Sequence, residues 1–367
     1  MRTISIAALL LFFSAGMASA QVCAYAPYGR GGENGAVELI DTTINRPVQI
    51  IGLGRGVYGS AVAPDGNTVF IGNSEDNTIS VIDALTNSVK GTISVESPDG
   101  MAVTPDGRFL YVSNFFPETV SVIRLSDNSI VDTIPVVGQP RGVAVNPNGD
   151  FVYVANFTSG GITVIRTSDN TIVTALSFAN FGTEGVAVTP DGAFVYSAQT
   201  FVDQVNVMRT SNNTVVTNIN VGDSPTGVDI TPDGKFVYVA NAFGDSISVI
   251  RTSDNTVIDT IDLGTGVSPV NVGVTPDGRK VFTVNEDGKS VFVIRTSDNT
   301  VVDAVRLPDQ GVGIGKFIAN CSLTAQGFGV PALSEWGMMA TAAGLMLVGV
   351  FFAARRLRAS RHRDAIG

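Results

Sequence analysis

Asp99, Arg141 and Glu184 are the residues whose types and spacing most invite a chemical reading. Each stands one residue before a glycine, as does Tyr58, and Gly59, Gly100, Gly142 and Gly185 follow one another at intervals of 41 to 43 residues. Thr226 holds the same position before Gly227, and Val270 and Ile314 hold it before Asn271 and Gly315. If the repeat gathers these positions, two carboxylates and a guanidinium meet, and a carboxylate pair is the minimum equipment for acid–base hydrolysis. Other chemistries lack parts. The single histidine, His362, lies close to the C-terminus, so the body has no imidazole for metal or haem ligation or for a Ser-His pair. No catalytic motif is present, and the chain reads as a binding or structural protein rather than an enzyme, with a carboxylate-based hydrolase as the alternative.

A second group recurs between the predicted strands. Phe115, Phe116, Glu118, Phe157, Phe201, Asp203, Phe243 and Asp245 sit in short polar segments that vary from repeat to repeat. Aromatic rings beside carboxylates on exposed loops suit stacking on a sugar, contact with a protein, or a Ca²⁺ ion held by oxygen ligands. Loop polarity and apolar seals between repeats explain them more simply. No loop has the spacing of a recognised Ca²⁺ motif, and no cofactor is required.

The elements that must position these residues follow from one recurring sentence. "GMAVTPDGRFLYVSN", "GVAVNPNGDFVYVAN" and "GVDITPDGKFVYVAN" alternate apolar and polar residues with a period of two, broken by Pro-Asp-Gly. "SISVIRTSDNTVIDTIDLG" continues the alternation around Ser-Asp-Asn. Proline presets φ, and glycine or asparagine accepts positive φ, so both tripeptides are strong turn formers. β-Branched and aromatic residues fill the runs between them. Each unit therefore reads as four antiparallel strands, A to D, and helical patterning is absent from 21 to 322. Four strands in a period of 40–45 residues are the signature of a propeller blade, with a β-solenoid as runner-up.

Six such turns, at Pro64, Pro105, Pro147, Pro190, Pro232 and Pro276, leave a seventh unit divided between the ends. "VCAYAP" (22–27) reads as its strand B, 36–54 as strands C and D, and "GKFIAN" (315–320) as strand A. In that alignment Cys321 matches Asp233 and Cys23 matches Val237, so the two cysteines meet at one hairpin end. In an exported protein they are a candidate disulfide that would clasp the ring shut.

"KFVYVAN", "RFLYVSN" and "DFVYVAN" after "TPDG" or "NPNG" resemble the YVTN-type β-propeller repeats of prokaryotic surface proteins. The resemblance covers roughly 22–320 and implies an all-β, seven-bladed disc of four-stranded blades. It implies no reaction. In such a disc the A–B and C–D turns share one face, and the B–C and D–A loops share the other, around the channel mouth. The turn face repeats Arg124, Arg166, Arg209, Arg251 and Arg295 beside Asp127, Asp169, Asp254 and Asp298. Local pairing within hairpins explains these better than a cationic ring. The loop face varies, which makes it the candidate binding face.

The ends supply an address. The body is acidic, with a formal charge of −10 over the whole chain and five arginines in the last thirteen residues, which argues against nucleic acid as a partner. Residues 1–20 have a basic start, an apolar run from Ile4 to Phe13 and Ala18-Ser19-Ala20, the layout of a secretory signal peptide. The propeller is expected over 21–322 and a linker over 323–329. An uncharged run over about 337–354 is near the lower limit for a transmembrane helix, with a basic tail, 355–363, behind it. Pro331, Leu333, Ser334, Glu335, Trp336 and Gly337, followed by that run and tail, resemble the IPTL-CTERM sorting signal of exported Gram-negative proteins, with Val330 and Ala332 in place of Ile and Thr. The resemblance implies an exosortase-like membrane protease as partner, anchorage until processing, and a place in the cell envelope or outside it. A plain single-span anchor is the simpler alternative.

Overall fold

A computed structural model describes residues 21–29, 34–178 and 182–321. The signal segment, the linker and the 330–363 segment lie outside the described residues. The chain divides into two units, Met1–Ser322 and Leu323–Gly367, and the described residues all belong to the first.

Twenty-eight strands, β1 to β28, and no helix occur among the described residues. They form seven four-stranded sheets, the blades of a β-propeller. β1 (Gln21–Tyr28), β2 (Asn34–Asp41) and β3 (Arg46–Arg55) belong to blade 1. Blade 2 is β4–β7 (Val57 to Ser94), blade 3 β8–β11 (Pro98 to Pro135) and blade 4 β12–β15 (Pro140 to Ser177). Blade 5 is β16–β19 (Thr183 to Asn220), blade 6 β20–β23 (Pro225 to Asp262) and blade 7 β24–β27 (Pro269 to Arg306). β28 (Ile318–Cys321) returns to complete blade 1 in the order β28-β1-β2-β3. The four-strand meander with a split blade is the arrangement expected from the repeat.

Turn chemistry fixes each hairpin. In the A–B turns the glycines Gly66, Gly107, Gly192, Gly234 and Gly278 take φ between 69° and 72°. The Asp of the turn accepts the amide two residues on, as Asp106 does from Arg108 at 3.0 Å, and a strand A threonine donates to it, Thr104 to Asp106 at 2.6 Å. The C–D turns place Asn87, Asn128, Asn170, Asn213, Asn255 and Asn299 at φ 51–57°, where asparagine carries the least penalty after glycine.

Apolar layers lie between blades. Phe70, Ile79, Val81 and Ile93 of blade 2 pack on Met101, Leu110, Val112 and Ile123 of blade 3, and the same pattern recurs around the disc. Tyrosines staple the layers at the turn face. Tyr111 donates to Asn170 Oδ1 of the next blade at 2.7 Å, Tyr196 to Asn255 at 2.6 Å and Tyr238 to Asn299 at 2.9 Å.

Blade 1 closes the ring by pairing Cys23 with Ala319 and Ala24 with Ile318. Asn320 adds bonds to the carbonyls of Asp65 and Gly66 in blade 2. The register moves one assignment. Cys23 pairs with Asp41 as Phe236 pairs with Arg251, so it occupies the place of Phe236 rather than Val237. Strand A of this blade also starts later than expected, at Ile318, because Gly315, at φ 100°, bridges to Ser60 of blade 2 instead. Cys23 and Cys321 form a disulfide with Cα atoms 5.7 Å apart, across 298 residues of sequence. Closing so long a loop removes denatured-state entropy equivalent to roughly 5 kcal/mol in the chain-entropy model.

At the centre, backbone meets backbone. A Cβ on Gly59, Gly100, Gly142 or Gly185 would fall on the carbonyl oxygen of Asp99, Arg141, Glu184 or Thr226 in the next blade. Register shifts in strand A, such as Pro98/Met101 and Pro140/Val143, mark these bulged glycines. Gly100→Ala is therefore expected to cost about 1–3 kcal/mol in chemical denaturation. Gly91→Ala, on an outer strand with nothing within 4 Å of the new methyl, should change stability by less than about 0.5 kcal/mol. Equal effects at the two sites would refute the central-contact account.

Candidate functional site: the channel mouth and the loop face

Strand A enters each blade from the loop face, so the residue before each framework glycine lies at the mouth. Tyr58, Asp99, Arg141 and Glu184 come together there. Arg141 Nη1 donates to the Tyr58 hydroxyl at 2.7 Å, spanning from blade 4 to blade 2, and lies 3.5 Å from Glu184 Oε1. Its guanidinium stacks 4.5 Å from the Phe157 ring centre, 4.9 Å from Phe115 and 5.6 Å from Tyr58. Thr226 does not join this group. It donates to the Val270 carbonyl of blade 7 at 3.0 Å and holds the blade interface.

The arrangement is enclosed. Asp99 and Glu184 are each 8% exposed, and the Arg141 side chain 19%. Beneath it the channel narrows to a cavity of about 20 Å³ between the framework glycines of blades 3 to 6, room for about one water. Asp99 Oδ1 and Arg141 Nε are buried with no hydrogen-bond partner. Burial raises the Asp99 carboxyl to about 7, with Arg141 opposing the shift and the Glu184 charge adding to it. Burial works against the Arg141 charge, but Tyr58, Glu184 and Asp99 outweigh it and raise its pKa. One cation thus faces two carboxyls, and near neutrality one of the carboxyls takes up a proton.

Around the mouth the B–C loops are asymmetric. Phe116, Phe201 and Phe243 are 77%, 63% and 78% exposed, while Phe115 and Phe157 turn inward onto Arg141. Phe115 meets Phe116 edge-on at 5.2 Å, and Phe157 lies 5.5 Å from Phe201. The rings line blades 3 to 6 as an arc. The loop carboxylates serve the backbone. Asp203 accepts the Ser224 amide at 2.9 Å, and Asp245 accepts those of Gly266, Val267 and Ser268, each at 2.8 Å; these bonds hold Asp245 below the usual carboxylate range. Glu118, at φ 54°, is half-buried, and its carbonyl accepts the Val136 amide. Among the described residues no group of three or more His, Cys, Asp or Glu side chains is placed to hold a metal ion.

On the turn face, Arg124, Arg166, Arg251 and Arg295 pair with Asp127, Asp169, Asp254 and Asp298 of their own hairpins at 2.6–3.0 Å. Both partners are exposed, so each pair contributes little stability.

The seven-bladed β-propeller model of the lactonase family matches residues 68–184, 174–257 and 215–302. The chain belongs to this lactonase propeller family. No curated protein matches it. Among solved structures, it is similar to Kuenenia stuttgartiensis hydrazine synthase, with 23% identity over 73% of this chain and 93% of that one and a TM-score of 0.64. A protein from Lactobacillus plantarum matches with 16% identity over 82% and 98%, TM-score 0.69. A functionally unknown protein from Desulfotomaculum acetoxidans matches with 17% identity over 83% and 100%, TM-score 0.68. At these identities the likeness is one of fold. The lactonase family name adds no residue to the mouth, and fold and reaction separate readily.

Sequence spacing found the mouth positions but missed that Arg141 plugs them and that Phe115 and Phe157 stack on it. A raised Asp99 pKa gives a pH signature. The folded carboxyl binds its proton more tightly than the unfolded one, so its contribution is intact below about pH 4 and is lost as pH rises toward 7. Relative to Asp99→Asn, the wild-type protein should lose stability across that window, by roughly 4 kcal/mol at the upper end. Denaturation curves from pH 4 to 8 measure it. Parallel curves for the two proteins would show that Asp99 does not titrate there.

Proposed function

We propose that this is an exported, YVTN-type propeller that works as an interaction module through its loop face. Its tail, resembling an IPTL-CTERM signal, would route it to the envelope or surface of a Gram-negative bacterium, with an exosortase-like protease as the processing partner. The observation that carries the reading is the arc of exposed phenylalanines, Phe116, Phe201 and Phe243, beside a mouth filled by its own arginine. Three exposed rings on the loops of blades 3, 5 and 6 give this face an apolar character of the kind that marks binding surfaces, and aromatic faces suit a surface polysaccharide or a protein. The described body begins at Gln21 and ends at Cys321, which pair with each other on the turn face.

A second reading, a periplasmic hydrolase acting on a lactone or glycan, is favoured by the family's name and by a carboxyl raised to about 7 at the mouth. Against it stand the plugged entrance and the narrow cavity below it.

Co-sedimentation of the protein with polysaccharide isolated from the producing cell's envelope separates the readings. The wild-type protein should co-sediment, and a Phe116→Ser, Phe201→Ser, Phe243→Ser variant should bind at least about tenfold more weakly, given the weight aromatic anchors carry at interfaces. Equal sedimentation of the two proteins would defeat the loop-face reading. Hydrolysis of an aliphatic lactone that disappears in Asp99→Asn, Glu184→Gln would establish the enzyme instead. The intact mass of the mature protein tests the address: a chain ending near 330–337 supports sorting, and a full-length membrane species supports a plain anchor.

A further inference from the structure

The repeat provides its own control for what a closed blade interface looks like at the turn face. Strand B opens with Phe109, Phe151, Phe194 or Phe236, each half-buried against an interface layer. Two residues on, Tyr111, Tyr196 and Tyr238 reach the next blade's Asn, as described. Thr167, Thr210, Thr252 and Thr296 donate to the carbonyls of Gly149, Gly192, Gly234 and Gly278 at 2.6–2.7 Å. A Cβ on those same glycines would lie 3.4–3.5 Å from the proline ring of the preceding blade.

Between blades 2 and 3 every one of these contacts is altered. Thr68 stands for the Phe, Phe70 for the Tyr, and Leu125 for the Thr. The corresponding Gly107–Pro64 approach widens to 4.0 Å. Asn128, the partner that a tyrosine would reach, is exposed where Asn170, Asn255 and Asn299 are half-buried. A cavity of about 430 Å³ results, lined by Thr68, Phe70, Leu125 and Asn128, with Pro64 and Pro105 as walls and Lys90 at its edge. Blade 7 also lacks the Phe and Tyr, yet there Lys280 donates to Thr42 O at 2.5 Å and to Asn45 Oδ1 at 2.8 Å and closes the gap.

We propose that the cavity between blades 2 and 3 binds a small aromatic ligand carrying a hydroxyl group, a phenol. Relative to the copied interfaces the site lacks one phenyl ring and one phenolic hydroxyl. The walls that such a ring would touch are Phe70, Leu125 and the two prolines. Asn128, held at φ 57°, presents the amide whose counterparts accept a tyrosine hydroxyl. Charge plays no part in the recognition: Lys90 donates to Thr68 Oγ1 at 3.1 Å, and Asp65 and Asp106 accept amides of their own turns at 2.9 and 3.0 Å. The volume is that of a small-ligand pocket.

The test is calorimetric titration of the mature protein with 4-hydroxyphenylacetamide, against phenylacetamide as the ring without the hydroxyl. Saturable one-to-one binding is expected, about fivefold weaker without the hydroxyl, the worth of one hydrogen bond. Thr68→Phe should abolish it by restoring the missing ring, and Asn128→Gly, which tolerates the same backbone, should weaken it about fivefold. No saturable binding up to about 10 mM ligand, unchanged binding in Thr68→Phe, or equal affinity for the two compounds would overturn the proposal. The Asn128→Gly and ligand comparisons stand even if the Thr68→Phe variant fails to fold.

Discussion

The molecule depends on a circle of contacts in which a backbone carbonyl occupies the space of an absent Cβ. Gly59 receives the carbonyl of Asp99, Gly100 that of Arg141, Gly142 that of Glu184, and Gly185 that of Thr226. Gly227 packs on Val270 and Asn271, and Gly313 on the carbonyl of Tyr58. Where the glycine is replaced, Asn271 turns the clash into a bond, donating to the Gly315 carbonyl at 3.0 Å. The radius of the disc is therefore set at its centre by the thickness of a peptide. The apolar layers between blades and the clasp between Cys23 and Cys321 stabilise a ring whose size is already fixed. The space left among the framework glycines of blades 3 to 6 holds about one water.

The two faces experience this constraint differently. On the turn face most hairpins touch a neighbour through proline on glycine, and several through tyrosine on asparagine as well, so one altered turn disturbs two blades. Copying is the simplest outcome, and the arginine–aspartate pairs are carried along with it. The loop face has no comparable register of contacts. Its backbone groups are met by individual loop residues, as when Asp245 gathers three amides of the D–A loop that follows its blade. Ring-bearing residues can therefore change from loop to loop without disturbing closure.

That division explains what was legible in the sequence. The strands, the turns and the divided first blade follow from local rules that act within a few residues, and the period exposes them seven times over. The errors lie where the copy is imperfect. Cys23 sits one position from its expected place because no PDG turn survives in blade 1 to anchor the alignment. Strand A begins at Ile318 because Gly313 and Gly315 adopt φ 109° and 100° to meet blade 2, a choice made by the ring and not by the segment. At the mouth, spacing identified the positions but not their partners. Arg141 reaches Tyr58 across 83 residues of sequence, a distance set by the disc's radius, which no local pattern encodes. Phe115 and Phe157 were legible as loop aromatics, but only the fold turns them inward.

The mouth poses an energetic question that the ring answers. A guanidinium enclosed by three aromatic rings has surrendered much of its hydration, and it stays charged only if carboxylates and ring faces replace the water. Glu184 and the Tyr58 hydroxyl meet it directly. Asp99 is the surplus carboxyl. Its Oδ1 has no partner, and burial lifts it to about 7, so protonation removes the excess charge that one arginine cannot balance. A buried triad of this kind adds little to stability, because an apolar plug of the same volume would avoid the desolvation. What it supplies is orientation. Arg141 bridges blades 2 and 4 and braces Phe115 and Phe157, and through their ring contacts those two steady Phe116 and Phe201 on the outer surface. The polar plug and the Phe116 and Phe201 part of the arc are thus mechanically joined, and those two rings are presented on a fixed base instead of on free loops.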